Sequence, residues 1–255
     1  MRMRPEAWLL CLCLSLAGCA SGGKTASGEA KSEREALSSK GRMNLALAEG
    51  YLAKGDLERA AERTETALAS DPRSGRAHAL DAMVKQRQGE HEAAGRAFER
   101  ALRLAPSDGV VLNAHGAWLC ERGQADRADR AFVLALADAS YRMPMQALAN
   151  AGKCALGAGK LPQAEDYLRR ALVFGPKDPT LLYLLADLEL RQGKLFEAQA
   201  FVQRRDALGA DAATLELAAR IEDAAGNAQA AARYRARLSQ EFPDHAPTGE
   251  GVRSP

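Results

Sequence analysis

The chain has 255 residues, a formal net charge of +2, 5% aromatic and 27% charged residues, and a predominance of alanine and leucine. Such a composition describes a helical, charged body. It lacks the strongly basic footprint of a nucleic-acid binder, and that class is excluded as the primary role.

The N-terminus opens with Arg2 and Arg4, continues in an apolar stretch from Ala7 to Leu16, and closes on the small pair Ala17 and Gly18. This is the layout of a secretory signal over 1–18, and its apolar part is well short of the ~20 residues that a spanning helix needs. No later stretch comes close to that length, so the mature protein is expected to be exported and not threaded through a bilayer. Leu16-Ala17-Gly18-Cys19 resembles the lipobox of bacterial lipoproteins. The resemblance implies cleavage before Cys19, S-diacylglycerol on its thiol and an N-acyl group on its amine. The alternative is ordinary cleavage near Ala17 or Ala20, with Cys19 incidental. A multiply acylated cysteine anchors stably, since each buried methylene contributes about 0.8 kcal/mol. Ala20 and Ser21 follow, with no aspartate of the inner-membrane retention signal, which implies the periplasmic face of the outer membrane.

Residues 19–40 are rich in Gly, Ser, Lys and Glu and hold one large apolar side chain, Leu37. A segment of this kind cannot order itself and is expected to act as a tether spanning roughly 25 Å. A glycine then recurs at 55, 89, 123, 159, 193 and 226, with gaps of 34, 34, 36, 34 and 33. Alanine follows five residues after each one, at 60, 94, 128, 164, 198 and 231. Small residues precede it by seven: Ala48, Ala82, Gly116, Gly152, Ala186 and Ala219. Pro72, Pro106, Pro176 and Pro243 close four units. This period is the signature of the tetratricopeptide repeat. It predicts an all-α, right-handed superhelical solenoid of about six helix pairs, at 41–74, 75–108, 109–144, 145–178, 179–211 and 212–244.

Each feature has a physical reason. Small residues permit close helix crossing, while Phe98, Phe132, Leu168 and Val202 fill the gaps between units. The glycine ends a first helix in a left-handed cap, after which Asp56 or Asn227 is placed to cap the second. Asp178 and Pro179 read as N-cap and N1. The third joint, "ADASYRMPMQA", and the fifth, "RRDALGADA", lack the usual Asp-Pro and read as drift in tolerant loops. Residues 245–255 read as a loose tail.

No catalytic constellation, metal-ligand spacing or nucleotide loop appears, so neither an enzyme nor a cofactor or metal site is expected. His115 reads as a buried, hydrogen-bonded core residue and His91 as the exposed start of a second helix. Cys120 and Cys154 read as two small buried thiols in preference to a disulfide. Function must then come from surface. By repeat position the concave groove should present Leu45, Glu49, Leu52, Met83, Gln86, Arg87, Asn113, Cys120, Lys153, Leu156, Tyr183, Asp187, Leu190 and Arg220. An apolar lane with charged flanks suits an amphipathic helix or an extended segment of another protein.

The lipobox, polar tether and six repeats resemble the PilF/PilW family of type IV pilus biogenesis lipoproteins, the pilotins. "LNAHGAWLCERGQADRADRAF" is similar to its third-repeat helix and "SYRMPMQALANAGKCALGAGKLPQAEDYLRRAL" to its long third-to-fourth joint. "YRARLSQEFPD" is similar to its closing helix. His115 departs where an aromatic is common, and Ala114 where a second asparagine is. The resemblance implies a protein that binds a secretin subunit and promotes its localisation and multimerisation in the outer membrane, with no nucleic acid and no small-molecule substrate. Rival readings are a repeat lipoprotein of barrel assembly, an adaptor of peptidoglycan enzymes and, from a different class, an enzyme.

Overall fold

The computed structural model describes residues 37–245. The signal, Cys19, all but the last four positions of the tether, and the tail after His245 lie outside the described residues.

Among the described residues the chain forms twelve helices and no strand. In chain order they are α1 Ser39–Ala53, α2 Leu57–Ser70, α3 Gly75–Arg87, α4 His91–Leu104, α5 Gly109–Glu121 and α6 Ala125–Ala137. The second half supplies α7 Pro144–Gly157, α8 Leu161–Phe174, α9 Pro179–Arg191, α10 Leu195–Asp206, α11 Ala212–Ala224 and α12 Ala228–Glu241. The first helix begins at Ser39, inside the segment read as tether. Ser38 explains this: its hydroxyl accepts from the Gly41 N–H, and the same hydroxyl and its backbone N–H donate to Asp71 at 2.9 and 3.1 Å.

Each odd-numbered helix pairs with the next even one through a tight turn of one construction. In the first, the Gly55 N–H donates to the Leu52 carbonyl and the Asp56 N–H to that of Tyr51. The same two bonds recur around Gly89, Gly123, Gly159, Gly193 and Gly226. This double bond requires a left-handed residue, and the six glycines hold φ between 72° and 83°. Asp56 caps α2 as expected, accepting from the Arg59 N–H at 3.1 Å. Asn227 does not cap α12; its amide instead donates to Glu222 at 2.8 Å.

Close crossing explains the small residues. A Cβ at Gly116 would stand 2.7 Å from the Phe132 ring, and one at Gly152 2.6 Å from Leu168. Ala48, Ala82, Ala186 and Ala219 are buried in the equivalent places, and Phe98, Phe132, Leu168 and Val202 fill the core beside them. The backbones of consecutive first helices approach one another closely, whereas second helices meet only through side chains, such as Gln163 and Tyr167 of α8, which donate to Asp129 of α6 at 2.8 and 2.7 Å. The odd helices therefore line the inner side of the curve and the even ones the outer.

The joints between units form a continuous edge. Arg76 pairs with Asp108 at 2.7 Å, the Gly109 N–H donates to Asp138 at 2.8 Å, Arg204 donates to the Pro176 carbonyl at 2.8 Å, and Arg237 pairs with Asp206 at 2.9 Å. The two irregular joints are specifically bonded. Tyr141 of the third packs against Gly109. In the fifth, Arg205 bonds both the Gly209 carbonyl at 2.6 Å and Asp211 at 2.9 Å, while Asp211 caps α11.

Candidate partner-binding groove

The inner face is stitched from helix to helix by side chains. The Gln86 amide of α3 donates to Glu121 of α5 at 3.2 Å, and the Asn150 amide of α7 donates to Asn113 of α5 at 3.1 Å. Arg191 of α9 reaches the Leu156 carbonyl of α7 at 3.4 Å while pairing with Asp187 at 2.8 Å. Between them Cys120 of α5 and Cys154 of α7 form a disulfide, with Cα atoms 5.7 Å apart. This corrects the expectation of two free thiols. The cysteines are 34 residues apart, one repeat length, while their glycine markers are 36 apart. The two cysteines therefore stand at different repeat positions, three and five residues before their glycines.

The residues assigned to the groove divide by depth. Glu49, Met83, Arg87, Lys153 and Arg220 are exposed, and Gln86, Tyr183 and Leu190 are half-buried. Leu45, Leu52, Asn113, Leu156 and Asp187 are buried and form the floor. The open apolar lane is thus shorter than the pattern suggests, and the reachable charges are three cations against the Glu49 carboxylate. Although Glu49 is open to solvent, partial desolvation by its neighbours raises its carboxyl above the ordinary value, with Arg76 nearby pulling it down. Burial also raises the Tyr183 hydroxyl. Residue-type patterning overlooked Met43 and Leu47, large apolar side chains exposed on α1.

His115 sits beside this surface in a ring cluster, with its centroid 5.6 Å from those of both Phe98 and Trp118. It is half-buried and held by rings, not by the hydrogen bond expected of it; none is found among the described residues. Burial, aided by Arg127, lowers its pKa to about 4. His91 begins α4 in the open, its ring nitrogen 3.0 Å from Gln86. Among the described residues no three His, Cys, Asp or Glu gather as metal ligands would, and no helix is long and apolar enough to cross a membrane.

No family model matches the sequence. The chain is 28% identical over 200 residues to the type IV pilus assembly protein PilF of Pseudomonas aeruginosa, covering 78% of this chain and 79% of that one. The crystal structure of PilW, a widely conserved type IV pilus biogenesis factor, superposes with a TM-score of 0.74 at 31% identity. That match covers 82% of this chain and 96% of PilW. The chain belongs to the PilF/PilW family of type IV pilus biogenesis proteins. A Pseudomonas aeruginosa PilF structure agrees, with a TM-score of 0.70 at 26% identity over 84% of this chain and 95% of that one. Membership fixes the fold as an all-α tetratricopeptide superhelix, a scaffold of the protein-binding kind.

Proposed function

We propose that this PilF/PilW protein is a pilotin, a lipoprotein acylated on Cys19 that binds a secretin subunit and promotes its assembly in the outer membrane. The observation that carries the reading is kinship to PilF and PilW across most of the chain. The lipobox supports the anchor. The Cys120–Cys154 disulfide supports an exported body, because such bonds persist in oxidising compartments such as the periplasm. In this reading the lipid supplies residence and the inner face supplies partner choice, with no chemistry beyond binding. The groove's composition suits a partner segment with an apolar side and acidic flanks, facing Met83, Tyr183 and Leu190 together with Arg87, Lys153 and Arg220.

The test is Cys19→Ser in the producing organism. The body should still fold and accumulate, while the secretin should fail to multimerise in the outer membrane and twitching motility should be lost. Normal secretin multimers in the outer membrane of that mutant would overturn the anchored pilotin. Essentiality for growth would point instead to barrel assembly.

A further inference from the structure

The edge formed by the joints carries a feature that partner binding at the inner face leaves unused. Exposed large apolar side chains gather at its centre: Met143 before α7, Val173 and Phe174 at the end of α8, and Leu208 after α10. Val173 is 80% exposed and Phe174 59%. They fall on the third, fourth and fifth joints, which adjoin one another, since Met145 lies against Gly175 and Arg204 reaches Pro176. Surfaces of this kind on a protein mark an interaction site.

Two observations name the occupant. First, the described chain begins on this same edge, where Ser38 is bonded to Asp71 in the joint between α2 and α3. Cys19 lies 18 positions upstream of Leu37, so even a fully extended link holds the edge within about 65 Å of the acylated residue. Second, the charges are asymmetric in their engagement. At the first five joints the carboxylates of Asp71, Asp108, Asp138, Asp178, Asp206 and Asp211 are held by hydroxyls, helix N-termini or arginines. Exposed Arg73, Arg142 and Lys177 have no ion pair among the described residues. Apolar side chains ringed by unengaged cations suit an anionic phospholipid interface.

We infer that this edge, centred on Met143, Val173, Phe174 and Leu208, lies against an anionic phospholipid surface when the chain is tethered. The inference rests on the anchor reading above. It fixes the attitude of the solenoid, with the joints toward lipid and the glycine turns toward the periplasm.

The experiment uses the mature full-length chain with vesicles of phosphatidylcholine and phosphatidylglycerol that contain brominated acyl chains. Trp118 is the one tryptophan after the signal and supplies the blank. Phe174→Trp should add a signal that brominated lipid quenches by more than half. Phe196→Trp should add one that is unquenched, since Phe196 is 82% exposed but begins α10 beside the opposite, glycine-turn edge. In the unacylated Cys19→Ser background, Val173→Ser with Phe174→Ser should weaken vesicle partition at least tenfold, and Phe196→Ser should not. These positions are on the surface, and unchanged circular dichroism checks that the variants fold. Absent quenching at Phe174→Trp, or equal quenching at both edges, overturns the inference. Serine variants that lose secretin capture but keep vesicle partition assign the edge to a protein and also overturn it. Mass spectrometry of Cys19 judges the anchor separately: a lipid-free cysteine overturns the anchor, while partition of the unacylated chain still reports on the edge.

Discussion

Gly116 and Phe132 meet where α5 crosses α6, with no room for a methyl group: a Cβ would stand 2.7 Å from a ring that is fully buried. Gly116→Ala should therefore destabilise the chain by about 1–3 kcal/mol, read from urea denaturation midpoints. His115, one residue away, reports on pH. Its folded pKa is lowered to about 4 from an ordinary 6.5, so as pH falls the unfolded chain takes up the proton first. Its contribution to stability is therefore full above about pH 6.5 and lost progressively toward about pH 4. Denaturation midpoints at pH 7.5 and 5 should differ more for the natural chain than for His115→Phe. At this scale the sequence was largely legible, because six turns demand the same left-handed residue. Gly209 shows the limit: it is equally left-handed, at φ 94°, but follows no period and so carried no signal.

Helices and joints were legible in number and order, since an amphipathic pair punctuated by glycine and proline has few alternatives. What the pattern concealed was the approach of one element to another. Cys120 and Cys154 occupy non-equivalent repeat positions, three and five residues before their glycines, so aligning the repeats does not pair them. Their 34-residue separation was the available clue. Closing a loop of that size removes chain entropy worth roughly 3–4 kcal/mol in the denatured state. Cys120→Ser with Cys154→Ser should lower the denaturation midpoint accordingly, and a reductant should shift the natural chain but not the double variant. The fifth joint likewise looked like drift, whereas Arg205 ties Gly209 to Asp211 there. A single arginine among many gives no warning of such a role.

For the molecule as a whole, repeat position identified which helices face inward but not how deep each side chain sits. Leu45, Leu52 and Leu156 look like contact residues in the sequence and are covered by their neighbours in the fold. The reachable cations are the sharper test. Arg87→Ala, Lys153→Ala and Arg220→Ala combined should reduce secretin capture at least tenfold in pull-downs, with less loss at high salt where the natural chain is already weakened. Each lies away from the core, so the folded stability should move by only about 0.5 kcal/mol per site. Unchanged capture would move the partner off the inner face.

If the proposed anchor holds one end of the chain and a partner grips its inner face, the disulfide also has a mechanical meaning. Stacked repeats act as a spring whose coils give way one at a time. Residues 120 to 154 cannot extend under load while the bond is intact, which withholds about 115 Å of contour from the stretched chain. Tension would unravel the outer units first and stop at this clasp, leaving the middle of the spring shaped under pull.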